Sequence, residues 1–130
     1  MSSAHNANAT IIPCVAAGTI NVGHAVDITS WTEAGGYVVT QSTGANTAWG
    51  VYVGPADAAI YDHVEICVLG PCKAWLDGAI TAGQRVSNDA DGHIIAESTD
   101  KKKSIGWSMA TNGATENYGE IMVNPGDTSL

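Results

Sequence analysis

The sequence predicts an all-β fold, a small β-barrel or sandwich built by internal duplication and preceded by an extended N-terminal arm. Three observations carry this expectation. The first is self-similarity, which is read before any other feature. Ala17-Gly18-Thr19-Ile20-Asn21-Val22-Gly23-His24-Ala25-Val26 returns sixty residues on as Asp77-Gly78-Ala79-Ile80-Thr81-Ala82-Gly83-Gln84-Arg85-Val86, with Gly, Ile, Gly and Val in register. Gly36-Tyr37-Val38-Val39 returns as Gly92-His93-Ile94-Ile95, Ser42-Thr43 as Ser98-Thr99 and Gly50 as Gly106, all fifty-six residues on, which implies a four-residue deletion. Glu65-Ile66-Cys67-Val68 returns as Glu120-Ile121-Met122-Val123, fifty-five residues on. The second observation is rhythm: apolar segments are short, β-branched and alternating, and no stretch repeats with helical period. The third is punctuation, because glycines arrive every few residues and separate the apolar segments with turn signals.

Taken in order, the first ten residues are polar and patternless, which predicts a flexible arm over 1–10 ahead of one β domain over 11–130. Strands are expected near Ile11 to Ala16, Ala25 to Thr29, Tyr37 to Thr40, Ala48 to Val53 and His63 to Leu69. The second half offers Cys72 to Leu76, Gln84 to Ser87, His93 to Glu97, Ser104 to Met109 and Tyr118 to Val123. The repeats cover about 17–70 and 77–125. Turns fall at Glu33-Ala34-Gly35-Gly36, at Gly70-Pro71 and at Asn88-Asp89-Ala90-Asp91-Gly92, whose Asp-Gly step suits a tight hairpin. Asn124 to Leu130 reads as a short tail.

Alternation sorts the faces. Val64, Ile66 and Val68 share the all-aliphatic side of one strand, and Ile121 and Val123 share it in the copy. Cys67, Leu69 and Met122 are then left as apolar groups on the opposite, outward face, where they serve a subunit contact or pad a cluster under a loop. Trp49 and Val51 flank Gly50 as Ile105 and Trp107 flank Gly106, one large and one smaller group in each pair, so Trp49 and Trp107 are assigned to the core. Trp75 shares a face with Lys73 and Asp77, and Trp31 lies in the loop Ser30-Trp31-Thr32-Glu33. These two are the candidate interface anchors.

The chain of 130 residues suits one domain with its own core. With 13 acidic against 5 basic residues and a net charge of −8, it lacks the basic footprint of a nucleic-acid or anionic-membrane binder. The N-terminus has no Lys or Arg ahead of an apolar run, so no secretory signal is read, and no run approaches a membrane span. Cys14, Cys67 and Cys72 are odd in number and lack zinc spacing, so they are expected as reduced structural thiols.

No catalytic constellation emerges. His5, His24, His63 and His93 are scattered, and an enzyme would need Asp57, Asp62, His63 and Glu65 to converge in a pocket. Asp89-Ala90-Asp91-Gly92 has a faint calcium-loop flavour without the distal Glu, and a turn accounts for it. There is no GxGxxG, Walker loop or nucleophile elbow. Neither an enzyme, a metal site nor a cofactor is expected. One charged feature remains: Lys101-Lys102-Lys103, whose copy in the first half is the neutral Ala45-Asn46-Thr47. Since the fold does not require lysines there, the tip either solubilises the loop or docks on an acidic partner.

The cadence of Asp77 to Val86, Asp89 to Ile95, Ile105-Gly106-Trp107-Ser108-Met109 and Gly119 to Val123 resembles small head-decoration, or capsid cement, proteins of tailed bacteriophages. The first half carries a diverged version. The resemblance implies a compact β-barrel-like or clip-like protomer, assembled as a homotrimer without an active site, that binds the major capsid protein on the outside of the assembled head. It is then a virion protein made in the bacterial cytoplasm. In this family N-terminal arms reach across capsid subunits, which would give Ser2, Ser3, His5, Asn6, Asn8 and Thr10 a role. A glycan- or receptor-binding module of a phage head or tail fibre is the alternative, with Trp31 and Trp75 as sugar platforms.

Overall fold

A computed structural model describes residues 9–33, 36–45, 47–97 and 103–127, and no helix occurs among them. The strands are β1 (Thr10–Ala16), β2 (Ala25–Thr32), β3 (Gly36–Gln41), β4 (Gly50–Tyr52), β5 (His63–Leu76), β6 (Arg85–Asn88), β7 (Ile94–Ala96), β8 (Lys103–Ser108) and β9 (Asn117–Asp127). Nearly every expected strand is present, and the fold is all-β.

The exception is β5. Gly70-Pro71 does not reverse the chain but lies inside a single strand of 14 residues. Up to Leu69 this strand pairs with β1, and from Gly70 onward it pairs with β9. Gly70 takes a φ of 103°, open to glycine, and Pro71 has no N–H to donate. The Gly-Pro pair that reads as a turn therefore twists the strand where it exchanges partners.

That exchange closes two rings. β1, β3, β2, β4 and the first half of β5 pair in succession and return to β1. The second half of β5 takes the place of β1 in a second ring, running through β7, β6, β8 and β9 back to β5. Each ring has one parallel pair, β1 with β3 and β5 with β7. Even the isolated bridge Ile20 to Ala58 has its counterpart in Ile80 to Asn112. The duplication is thus two five-stranded barrels sharing one strand.

Pairing also corrects one register. Val39 lies opposite Ile28 as Ile94 lies opposite Asn88, so Val39 corresponds to Ile94 and not to Ile95. The β2–β3 hairpin is accordingly five residues longer than the β6–β7 hairpin, and one residue is regained before β4 and β8. The inward pair, Val39 and Ile94, is fully buried in both rings.

Two apolar clusters fill the molecule. Cys14, Ala16, Ile20, Val26, Val39, Tyr52, Ala58, Val64 and Ile66 form the interior of the first ring. The other cluster joins the interior of the second ring, including Leu76, Ile80, Ile94, Ile105, Ile121 and Val123, to Ala25, Val51, Val53 and Cys67 of the first. Ala25 pairs with Val51, Val51 with Cys67, and Cys67 with Ile11. These four side chains form a row across the outside of the first ring, which the second ring covers. Cys67 therefore does not face solvent: it is 0% exposed, because what is outward for one barrel is inward between the two. Val64, Ile66, Ile121 and Val123 are inward as expected.

The tryptophans divide differently from the expectation. Trp49 packs against the first cluster and Tyr37, whereas Trp107 is half-buried outside both clusters, beneath the Arg85 guanidinium at 5.0 Å. The β8 bulge between Ser104 and Gly106 turns Ile105 into the core and leaves Trp107 on the outer surface.

Candidate interaction surfaces

The richest polar constellation lies in a shallow cleft lined by Asn21, Val22, His24, Asp57, Trp75, His93, Glu116 and Tyr118. The β6–β7 turn builds it. Asp89 Oδ1 accepts from the N–H groups of Asp91 and His93, and Gly92 takes a φ of 81°, so the Asp-Gly step closes the hairpin. His93 Nδ1 then lies 3.2 Å from Asp77 Oδ2 and 3.2 Å from Asp89 Oδ2. Its Nε2 is 3.5 Å from Glu116 Oε1, the same oxygen that accepts from Trp75 Nε1 at 2.8 Å. When protonated, His93 bridges carboxylates from three parts of the chain. Asp77, Asp89 and His93 are also the described group whose ligand atoms come close enough to share a cation.

His24 completes the cleft, stacked on Trp75 and edge-on to His93. Burial pushes its pKa below the ordinary value, opposed by the Val22 carbonyl and reinforced by His93, with Asp57 and Asp89 acting the other way. The sign follows from linkage: the unfolded chain binds the proton more readily, so His24 withdraws stability as pH falls through the unfolded imidazole range. Thermal midpoints measured between pH 7.5 and 5.5 should fall for the parent and fall less for His24→Gln. An equal fall in both would remove His24 as the cause.

The candidates named from sequence fare unequally. Trp31 is not in a loop but in β2, paired with Tyr37, and is 59% exposed. Leu69 is 50% exposed, and Met122 is half-buried on the outside of the second ring. Trp75 is no exposed anchor, since it is half-buried in the cleft against Tyr118. Cys67 is withdrawn by its burial. Ser2, Ser3, His5, Asn6, Asn8, Lys101 and Lys102 lie outside the described residues, and for Lys103 only the backbone, which opens β8, is described. Ala9 and Thr10, expected in the arm, belong to the β domain: Ala9 packs against a core cluster and Thr10 pairs with Leu69 in β1.

Of the four residues an active site would need, Asp57 lines the cleft, where it accepts from the Val22 N–H; Asp62, His63 and Glu65 do not. Asp62 instead accepts from the Ala59 N–H. All three thiols are buried and free; burial pushes Cys14 up to about 11, and a hydrogen bond with Cys67, followed by burial, holds Cys72 above its usual range. The His93 cluster was invisible in sequence because its members lie far apart in the chain. The Asp89 turn was its one local signal.

The fold and surfaces define a twin-barrel protein with an acidic cleft and with exposed aromatic, aliphatic and thioether side chains. No family model matches the chain, and no curated protein matches it. Among solved structures it is similar to the N base of the head fibre gp8.5 of bacteriophage phi29, with a TM-score of 0.66 and 12% identity. The match covers 88% of this chain and 93% of that one, so the likeness is one of whole fold. No helix among the described residues is long and apolar enough to cross a membrane.

Proposed function

We propose that this chain is a structural protein of a phage virion, attached to the outside of the assembled head as a decoration or cement protein and acting as a homotrimer on the major capsid protein. The observation that supports this most is the shared fold with a phage head-fibre base over nearly the whole of both chains. The resemblance of the Asp77 to Val123 cadence to head-decoration proteins points the same way. The role involves no catalytic step. It works by linkage: a protein that binds only the closed shell stabilises it by mass action, and a trimer touching several capsid subunits gains from effective concentration. Weak individual contacts then suffice.

Purified chain mixed with undecorated heads of its phage should co-sediment with them and should not bind free capsid subunits. Failure to sediment with heads across salt conditions would overturn the reading. A second reading, a glycan- or receptor-binding module of a head or tail fibre, is favoured by the exposed Trp31 and by the Trp75–Tyr118 pair flanked by Glu116 and Asp57. Glycan-array binding that is lost on Trp31→Ala would select it.

A further inference from the structure

The duplication carries its own record of how one barrel covers another. On the first ring the row Ala25, Val51, Cys67 and Ile11 is buried beneath the second ring. Pairing maps that row residue for residue onto Arg85, Trp107, Met122 and Pro71 of the second ring: Arg85 opposite Trp107, Trp107 opposite Met122, Met122 opposite Pro71. Val53, buried at the edge of the first row, corresponds to Met109, which is 48% exposed. Among the described residues no third ring covers this face, and its aromatic, thioether and prolyl groups remain partly exposed.

The covered row also shows what does the covering. The tip of the β6–β7 hairpin sits against it, with the Gly92 carbonyl accepting from the Ala25 N–H at 2.7 Å and Asn88 Oδ1 from the Ala48 N–H at 3.0 Å. The corresponding element of the first ring is the β2–β3 hairpin, where Ile28 stands in the place of Asn88. This hairpin is the longer of the two, and along it Ile28, Trp31 and Tyr37 are all exposed. Buried Asn88 serves a contact already made within the chain, whereas Ile28, Trp31 and Tyr37 stay largely open to solvent, Tyr37 resting on Trp49 with one side.

We infer that the β2–β3 hairpin of a second copy seats on the Arg85, Trp107, Met109, Met122 and Pro71 face, repeating between chains the contact that joins the two rings within one. The contact joins different surfaces, so it is heterologous and propagates head to tail until a ring closes, here at the three copies proposed above. It rests on that proposed self-association and adds to it the two surfaces that meet. Glu33 near the hairpin tip is acidic and Arg85 on the face is basic, which sets their orientation.

Light scattering on the full chain, on Trp31→Asp and on Met109→Asp tests this, since the two side chains are 59% and 48% exposed and can be replaced without opening a core. The parent should be a closed oligomer, and each variant should stay folded by circular dichroism yet weaken association by at least about 30-fold, the scale of a central anchor. Because the junction is heterologous, mixing the two variants leaves one intact hairpin and one intact face, and a one-to-one dimer should form where each alone is monomeric. Variants that remain oligomeric, or a mixture that fails to pair, would overturn the assigned surfaces while leaving self-association standing. A parent that is monomeric at about 0.1 mM would overturn both, and co-sedimentation with heads would still judge the capsid reading by itself.

Discussion

Gly106→Ala should lower unfolding stability by about 3 kcal/mol or more, a loss on the scale of overpacking combined with backbone strain. The glycine sits at the β8 bulge with a φ of 150°, a conformation L side chains rarely adopt. A Cβ there would overlap the Met122 carbonyl oxygen and come within 3.1 Å of the Asn124 nitrogen, both backbone atoms of β9 that cannot swing aside. The first ring has the same device: a Cβ on Gly50 would lie 2.6 Å from the Cys67 carbonyl oxygen, and Cys67 is the counterpart of Met122. Close approach of two strands explains why this glycine occurs in both halves. Gly18→Ala, with nothing within 4 Å of its Cβ and no positive φ, should stay within about 0.5 kcal/mol of the parent. Urea unfolding of the two variants decides the matter: coincident midpoints would mean that β8 and β9 do not cross so closely.

How much of this was legible in the sequence follows from the range of the forces concerned. Strand positions are set by local alternation and turn residues, and they were readable almost throughout. The duplication revealed the inward faces of β5 and β9, because Val64, Ile66, Ile121 and Val123 repeat the same parity. What escaped depends on partners far along the chain. Gly70-Pro71 has the local chemistry of a turn, but β1 and β9 hold the strand straight on either side of it. Cys67 alternates outward from one barrel, and only the arrival of the second barrel buries it. The His93 cluster draws on Asp77, Asp89 and Glu116, of which the turn around Asp89 alone left a local mark. The Val39 register slipped by one residue because Val38-Val39 and Ile94-Ile95 are doublets that align equally well in either frame. Pairing breaks the tie by choosing which member faces the core.

The second large effect should come from Asn88, a polar side chain 1% exposed at the seam between the barrels. Its Oδ1 accepts from the N–H groups of Thr47 and Ala48, and its Nδ2 donates to Ser42 Oγ and the carbonyls of Gly44 and Asp89. Both lone pairs and both protons are thereby engaged. Asn88→Ala strands the buried Ala48 N–H and should cost about 3 kcal/mol, the sum of lost bonds and an unsatisfied donor. Asn88→Asp separates the two halves of that role. It keeps an acceptor for Thr47 and Ala48 but, when ionised, aims negative charge at the Gly44 and Asp89 carbonyls. It should therefore be as damaging as alanine at pH 7. A protonated aspartic acid can donate once more, so its folded-state pKa must lie above that of the unfolded chain. The folded state then binds the proton more tightly, and stability relative to the parent should rise as pH falls from 7 toward 5, opposite in sign to the effect of His24. Denaturant midpoints at the two pH values, each referred to the parent at the same pH, measure it. A pH-independent deficit would show that the donated bonds to Ser42 and Gly44 contribute little, and that the seam is held by apolar burial of Val51 and Cys67 alone.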